Sequence, residues 1–446
     1  MKLSKKKIII SIIFFIIIVL ALLFFFPSQI LGVFFRDIKP IDDSDLTFEK
    51  MVVPQEQNAY YDFISLEKGD EVKYPEGGLG REQCFTDEKC LKETGQANKE
   101  NFAVIDRVLS KQYFVNPDYA DPEKSSIFNV VYNDQAILYL SSLQPYYLLQ
   151  KGENEKAIEA AFKIFEIAQK IKSGRPGRVD VLVAIALEGI GTKAVRDIIK
   201  GSDFSSADLL RYSQKVGELE NNDGEVLVLT FGKASYFEMR NLVDDLSSGK
   251  ITTSGLLSIY SINMADGPKV DPITERIFTN KFYLQPNKTK KLFAEEERKV
   301  VEAIKAACDS SLLSDYMVGK TASAWNLQPI SRFYPNYGGL VLYGMTVANM
   351  SGARLASCSS QSQLVMTRSL LALKTYQQDK GRLADSLDVL VPDYLPEVPK
   401  DPFSGEALKY SLEKKIIYSI GQKGAEQNLV DDGGDEEKDI VMNIDF

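Results

Sequence analysis

Three observations predict an α+β fold class for this chain of 446 residues. An apolar run of helix length stands at the N-terminus, helical periodicity dominates the centre, and short alternating β-like runs take over near the C-terminus. The predicted architecture is an N-terminal transmembrane helix, a mainly α-helical central domain, and a small C-terminal module of one long helix with a three-stranded antiparallel sheet. Composition places the boundaries at 1–27 for a cytoplasmic tip and anchor, 28–95 for an irregular stalk or cap, 96–350 for the helical domain and 357–446 for the module.

The first element follows from "IIISIIFFIIIVLALLFFF", residues 8–26, where only Ser11 is polar. At about 1.5 Å per residue such a run spans roughly the 30 Å hydrocarbon core. A cleaved signal peptide would have a shorter apolar region and a small-x-small site, whereas "PSQILGVFF" follows here. Lys2, Lys5, Lys6 and Lys7 precede the run. The reading is therefore a single-pass cell-membrane protein with a cytoplasmic N-terminus and its bulk outside the cytoplasm.

The stalk mixes Pro, Gly and charge, as in "YPEGGLGREQC". Cys84 and Cys90 lie in "CFTDEKC", a spacing able to close a small loop, which leaves Cys308 and Cys358 as the simplest second pair. Four cysteines permit three connectivities.

In the helical domain, "KGENEKAIEAAFKIFEIAQKIKSG" sets Ile158, Ala161, Phe165 and Ala168 on one face, and Gly174 and Pro176 stop the helix. With "AILYLSSLQPYYLLQ" before it, the stretch resembles one tetratricopeptide-type hairpin at Gly152, Ala157 and Ile158. No second copy stands at that period, so an ordinary helical bundle is the reading. The next helix, "VDVLVAIALEGIGTKAVRDIIKG", is apolar on nearly every side and rich in small residues, as suits the centre of a bundle. Further helical runs stand at 204–220, 224–247, 290–313 and 338–348.

Composition narrows the chemistry. A net charge of −9 and a pI near 5.0 argue against a nucleic-acid partner. There is no histidine, which removes Ser-His-Asp triads, Cys-His dyads and HExxH zinc sites. Ser-Lys chemistry survives at "SLEK" (Ser411 to Lys414) and "SSGK" (Ser247 to Lys250), although the first lies in a predicted strand hairpin rather than opening a helix. Glu225 and Glu238 fall in one helical region and suggest a carboxylate pair. Trp325, the only tryptophan, sits in the aromatic loop "WNLQPISRFYPNYGG".

The C-terminal module opens with the helix "SQSQLVMTRSLLALKTYQQDKG". Leu364, Thr367, Leu371 and Lys374 form one line along it, Val365, Ser369, Ala372 and Tyr376 another, and Gly381 ends it. After "LVPDYLPEVPKDPFSG" come the strands "ALKYSL" and "KIIYSIG", a loop crowded with acidic residues, and "DIVMNI". Residues 431–439 hold six carboxylates against Lys438, and a hard cation taking about 6 to 8 oxygens would relieve their repulsion.

This order of elements resembles the periplasmic head of the major pseudopilins of type II secretion over about the last fifth of the chain. The resemblance implies calcium held between the last strands, in the region from Ser419 to Asp439, with Asp431, Asp432 and Asp439 as the side-chain ligands. It also implies partners in a secretion or type IV pilus-like apparatus. The chain departs from that family at its start, "MKLSKKKIIISIIFF", which has no Gly-Phe-Thr-Leu-x-Glu-like processing site, and in the long insertion between anchor and head. The functional expectation is an anchored scaffold or interaction protein displaying a borrowed head. The alternative is an envelope enzyme or small-ligand binder using Glu225 and Glu238.

Overall fold

The computed structural model describes residues 13–19, 27–65, 72–75, 81–121, 135–220, 224–260, 272–306, 308, 333–346, 348–421 and 440–444. Helices dominate these residues, and the three strands hold only three, four and four residues. The α+β class is therefore corrected to a mostly α-helical chain carrying one small antiparallel sheet. The β-like alternation near the C-terminus spans only a few residues at a time, and one long helix and irregular connections take up the remaining described residues of that stretch.

A second correction concerns the N-terminus. Among the described residues no helix is long and apolar enough to cross a membrane. Residues 13–19 are helical. The rest of the 8–26 run lies outside the described residues. The single-pass anchor, with its cytoplasmic N-terminus and extracytoplasmic bulk, is not supported.

In chain order the helices are α1 (Pro27–Phe34), α2 (Ala59–Ser65), α3 (Arg81–Thr86), α4 (Glu88–Ala97), α5 (Ala103–Ser110), α6 (Gln135–Gln150), α7 (Asn154–Ser173), α8 (Arg178–Lys200), α9 (Ser206–Glu220), α10 (Gly224–Ser247), α11 (Thr253–Tyr260), α12 (Pro272–Thr279), α13 (Pro286–Ala306), α14 (Tyr337–Thr346) and α15 (Ala348–Lys380). The strands are β1 (Lys409–Ser411), β2 (Ile416–Ser419) and β3 (Ile440–Asn443). The chain divides into two compact units. One comprises Met1–Thr47, Tyr236–Lys299 and Ser314–Asn349, and the other Phe48–Ser235, Val300–Leu313 and Met350–Phe446.

In the larger unit, α6 to α9 follow one another through short connections, which make neighbours antiparallel. Helix α7 buries one broad face and leaves Glu155, Lys156, Glu159 and Glu166 exposed, and the buried face divides its partners. Ile164, Ile167, Ala168 and Ile171 join one core with α2, α5 and α6, whereas Ala157, Ile158, Ala161, Phe162 and Phe165 join another with α8 and α9. Its C-terminus stops at Gly174, whose amide bonds to the Ile171 carbonyl. Gly191 of α8 lies so close to α7 that an added Cβ would stand 2.8 Å from the Phe165 ring. Contrary to the all-round burial read from its composition, α8 keeps an exposed stripe at Leu182, Ala186 and Lys193. At its start the fully buried Asp180 accepts the Gly177 amide at 2.6 Å and the Asn116 side-chain amide at 2.8 Å, so the buried carboxylate is held by donors.

Helix α15 belongs to two cores at once. Leu364 and Leu371 pack with α7, α8 and α9. Val365, Met366, Leu370, Leu373 and Tyr376 pack against Ile417 of β2 and Met442 of β3. The sheet has the order β1-β2-β3, with Tyr410 opposite Ile417 and Ile417 opposite Met442. Gly381 ends α15 at φ +72°, donating to the Gln377 carbonyl, a left-handed cap that favours glycine.

In the smaller unit, the segment after α1 is pinned by carboxylates. Asp37 accepts the Asn287 and Lys288 amides at the start of α13, Asp43 accepts the Tyr236 hydroxyl at 2.6 Å, and Asp45 takes the Arg298 guanidinium at 2.6 and 2.8 Å.

Candidate functional site

The described structure is most specific where the acidic loop leaves the sheet. The turn "DPFSG" begins at Asp401, whose Oδ1 accepts the Phe403 amide at 3.0 Å, and closes with Gly405 at φ +73° donating to the Asp401 carbonyl at 2.8 Å. The same carboxylate reaches the end of β2. Its Oδ1 accepts the Ser419 hydroxyl at 2.7 Å, and its Oδ2 accepts the Ile420 amide at 3.0 Å. Asp401 is 1% exposed and Ser419 fully buried, so a carboxylate removed from water is compensated by three donors. Gly421, at φ +59°, then turns the chain toward the loop. The N-terminal root of the loop is thus fixed by a side chain that is itself locked in a turn.

The loop residues proposed as calcium ligands, Asp431, Asp432 and Asp439, lie outside the described residues, as does Trp325. Among the described residues no group of three or more His, Cys, Asp or Glu side chains is placed to hold a metal ion. Asp401, at the root of the loop, has both oxygens already engaged by the Ser419 hydroxyl and the Phe403 and Ile420 amides.

Two disulfides are formed. Cys84–Cys90 ties α3 to α4 and Cys308–Cys358 ties the chain after α13 to α15. Asp87 caps α4 by accepting the Cys90 amide at 2.7 Å, so the small loop is held both covalently and by its cap.

The other sequence candidates are not brought together. Glu225 and Glu238 share α10 but stand thirteen residues apart, about 20 Å along a helix axis, well beyond the roughly 5–9.5 Å used by carboxylate pairs. The Ser247 hydroxyl donates to the Asp244 carbonyl at 3.1 Å while Lys250 pairs with Asp245 at 3.0 Å. The Ser411 hydroxyl accepts the Lys414 backbone amide at 3.3 Å in the β1–β2 turn. Neither serine is bonded to a lysine ammonium group.

Two further polar anchors on α15 escape sequence reasoning. Arg368 pairs with Glu220 of α9 at 2.6 Å with both side chains about 15% exposed or less. Burial raises the Glu220 carboxyl above its usual range, an effect that Arg368 offsets only in part. The Lys374 ammonium donates to the carbonyls of Ile199, in the last turn of α8, and of Ser202 just beyond it, and burial lowers its pKa. No local signal marks Arg368 or Lys374, because both partners are more than a hundred residues away. The turn letters of "DPFSG" do mark Asp401 as a turn residue, but not its reach to β2.

Comparison of the chain with protein-family models, with curated proteins and with solved structures finds no match in any of the three.

Proposed function

We propose that this chain is an interaction scaffold in which stacked helices carry a pseudopilin-head-like C-terminal module, acting as an accessory of a secretion or type IV pilus-like apparatus. The observation that carries this reading is the construction of the module. A long helix backs a β1-β2-β3 meander, and Asp401 clamps the strand end from which the acidic loop departs. Because α15 also packs into the core formed with α7, α8 and α9, the module is held rigidly by the helical stack rather than tethered to it. Such a mounting suits presentation of one surface to a partner. In this reading the acidic loop, with six carboxylates in residues 431–439, takes calcium, which relieves their mutual repulsion.

Cross-linking the full-length chain in its source cells, followed by identification of the linked proteins, tests the scaffold reading. Pilin-like or secretion-apparatus subunits linked through residues 381–446 are the expected result. Recovery of the chain alone, or of partners linked only through the helical stack, would sink it. The calcium component is tested on the whole chain by thermal melting in calcium and in chelator, and identical curves would remove it.

A further inference from the structure

A cleft of about 860 Å³ lies in the smaller unit between α1, the end of α12 and the segment leading into α13. Its volume falls in the range of small-ligand sites, about 300–1,000 Å³. Phe278, Phe282 and Leu284, each 2–3% exposed, supply apolar lining, and Val33 and Phe35 of the α1 end add apolar surface left open to solvent at 60% and 45%. Gly32 keeps that side narrow, since a Cβ there would already touch Phe282 at 3.9 Å.

The charges in the lining are asymmetric. Asp37 is its one carboxylate, and it is occupied: Oδ1 accepts the Ile38 and Lys288 amides and Oδ2 the Asn287 amide, at 2.9 to 3.0 Å. Arg36 and Lys281 are its two cations, both exposed, and neither has an ion-pair partner among the described residues. Gln29, Asn280 and Ser247 add neutral polar groups. An apolar trough with uncompensated positive charge selects a molecule with an apolar body and one anionic end.

We propose that this cleft binds a small amphipathic carboxylate of the fatty-acid type. The hydrocarbon lies along Phe278, Phe282 and Val33, and the carboxylate is held by Arg36 and Lys281. The site is built from residues outside the C-terminal module and does not depend on the scaffold reading.

Isothermal titration of the full-length chain with dodecanoate, below its aggregation concentration, tests the proposal. Dodecyltrimethylammonium, with the same chain and the opposite charge, serves as comparator. One-to-one binding of dodecanoate is expected, with at least about a tenfold loss in the double variant Arg36→Gln, Lys281→Gln, since each charge-assisted contact removed is worth that much. Both positions are exposed, so the variant should melt with the parent protein. No dodecanoate binding, equal binding of the two amphiphiles, or unchanged affinity in the folded double variant would each overturn the assignment.

Discussion

The Ser419 hydroxyl donates to the Asp401 carboxylate at 2.7 Å across eighteen residues of sequence, and both groups are buried. Replacing Asp401 by Ala leaves the Ser419 hydroxyl and the Phe403 and Ile420 amides without an acceptor. Asp401→Ala should lose about 3 kcal/mol or more of unfolding free energy, whereas Ser419→Ala, which leaves two amides on the carboxylate, should lose only about 1. Chemical denaturation of the three proteins measures the difference, and equal losses would show that the carboxylate does not anchor the strand end.

Glu220 and Arg368 form a pair that burial makes asymmetric. One carboxylate oxygen of Glu220 bonds to Arg368, and its Oε1 has no hydrogen-bond partner among the described residues. Removing the cation strands a buried carboxylate, so Arg368→Met should destabilise at neutral pH by about 3–5 kcal/mol. Glu220→Gln should cost less. Because the folded pKa of Glu220 is raised, its protonated form contributes stability below the ordinary carboxylate range, and that contribution is lost as pH rises through the raised value. Denaturant unfolding across that window should fall with pH more steeply for the parent protein than for Glu220→Gln. Parallel curves would contradict the direction of the shift.

Two glycines of α8 make a matched pair. A Cβ at Gly191 would meet the buried Phe165 ring at 2.8 to 3.1 Å, while one at Gly189 meets nothing within 4 Å. Gly191→Ala should destabilise by about 1–3 kcal/mol through overpacking. Gly189→Ala should stabilise by up to about 1 kcal/mol through helix propensity. Opposite shifts in melting temperature are expected, and shifts of the same sign would mean that α7 and α8 do not approach at Gly191.

The disulfides enclose loops of different length, with sequence separations of 6 and 50. On the loop-entropy account, losing Cys308–Cys358 by paired substitution to Ala should cost about 4 kcal/mol and losing Cys84–Cys90 about 2. Unfolding titrations of the two variants should differ in that order. A reversed order would indicate that the long loop remains restrained in the unfolded chain.

Much of the helical layout is legible in sequence because it depends on local rules. Gly174 and Gly381 end α7 and α15 where the letters place them, since a helix terminus needs only a residue that can leave the helical conformation. The size of the sheet was not legible. Alternation marks the strand stretches without stating how many residues pair, and pairing ends after three or four. The candidate sites fared unevenly for the same reason. Asp401 reads as a turn residue, but its bond to Ser419 depends on β2 arriving beside the turn. Glu225 and Glu238 already fall in one predicted helical run, and that helix keeps them about 20 Å apart along its axis.

Helix α15 shows where the division falls. Its two apolar lines, through Leu364 and Leu371 and through Val365, Ala372 and Tyr376, are consequences of the sequence alone, because the 3.6-residue period sorts side chains onto faces before any partner is present. Which partner each line meets was decided only in the tertiary structure. The first line closes the core with α7, α8 and α9, and the second closes the core under the sheet. Lys374, lying on the first line, caps carbonyls at the end of α8. Hydrophobic burial is non-directional, so a sequence specifies that a face must be covered. Only the packing of distant segments, with the shape and polar groups each one brings, selects what covers it.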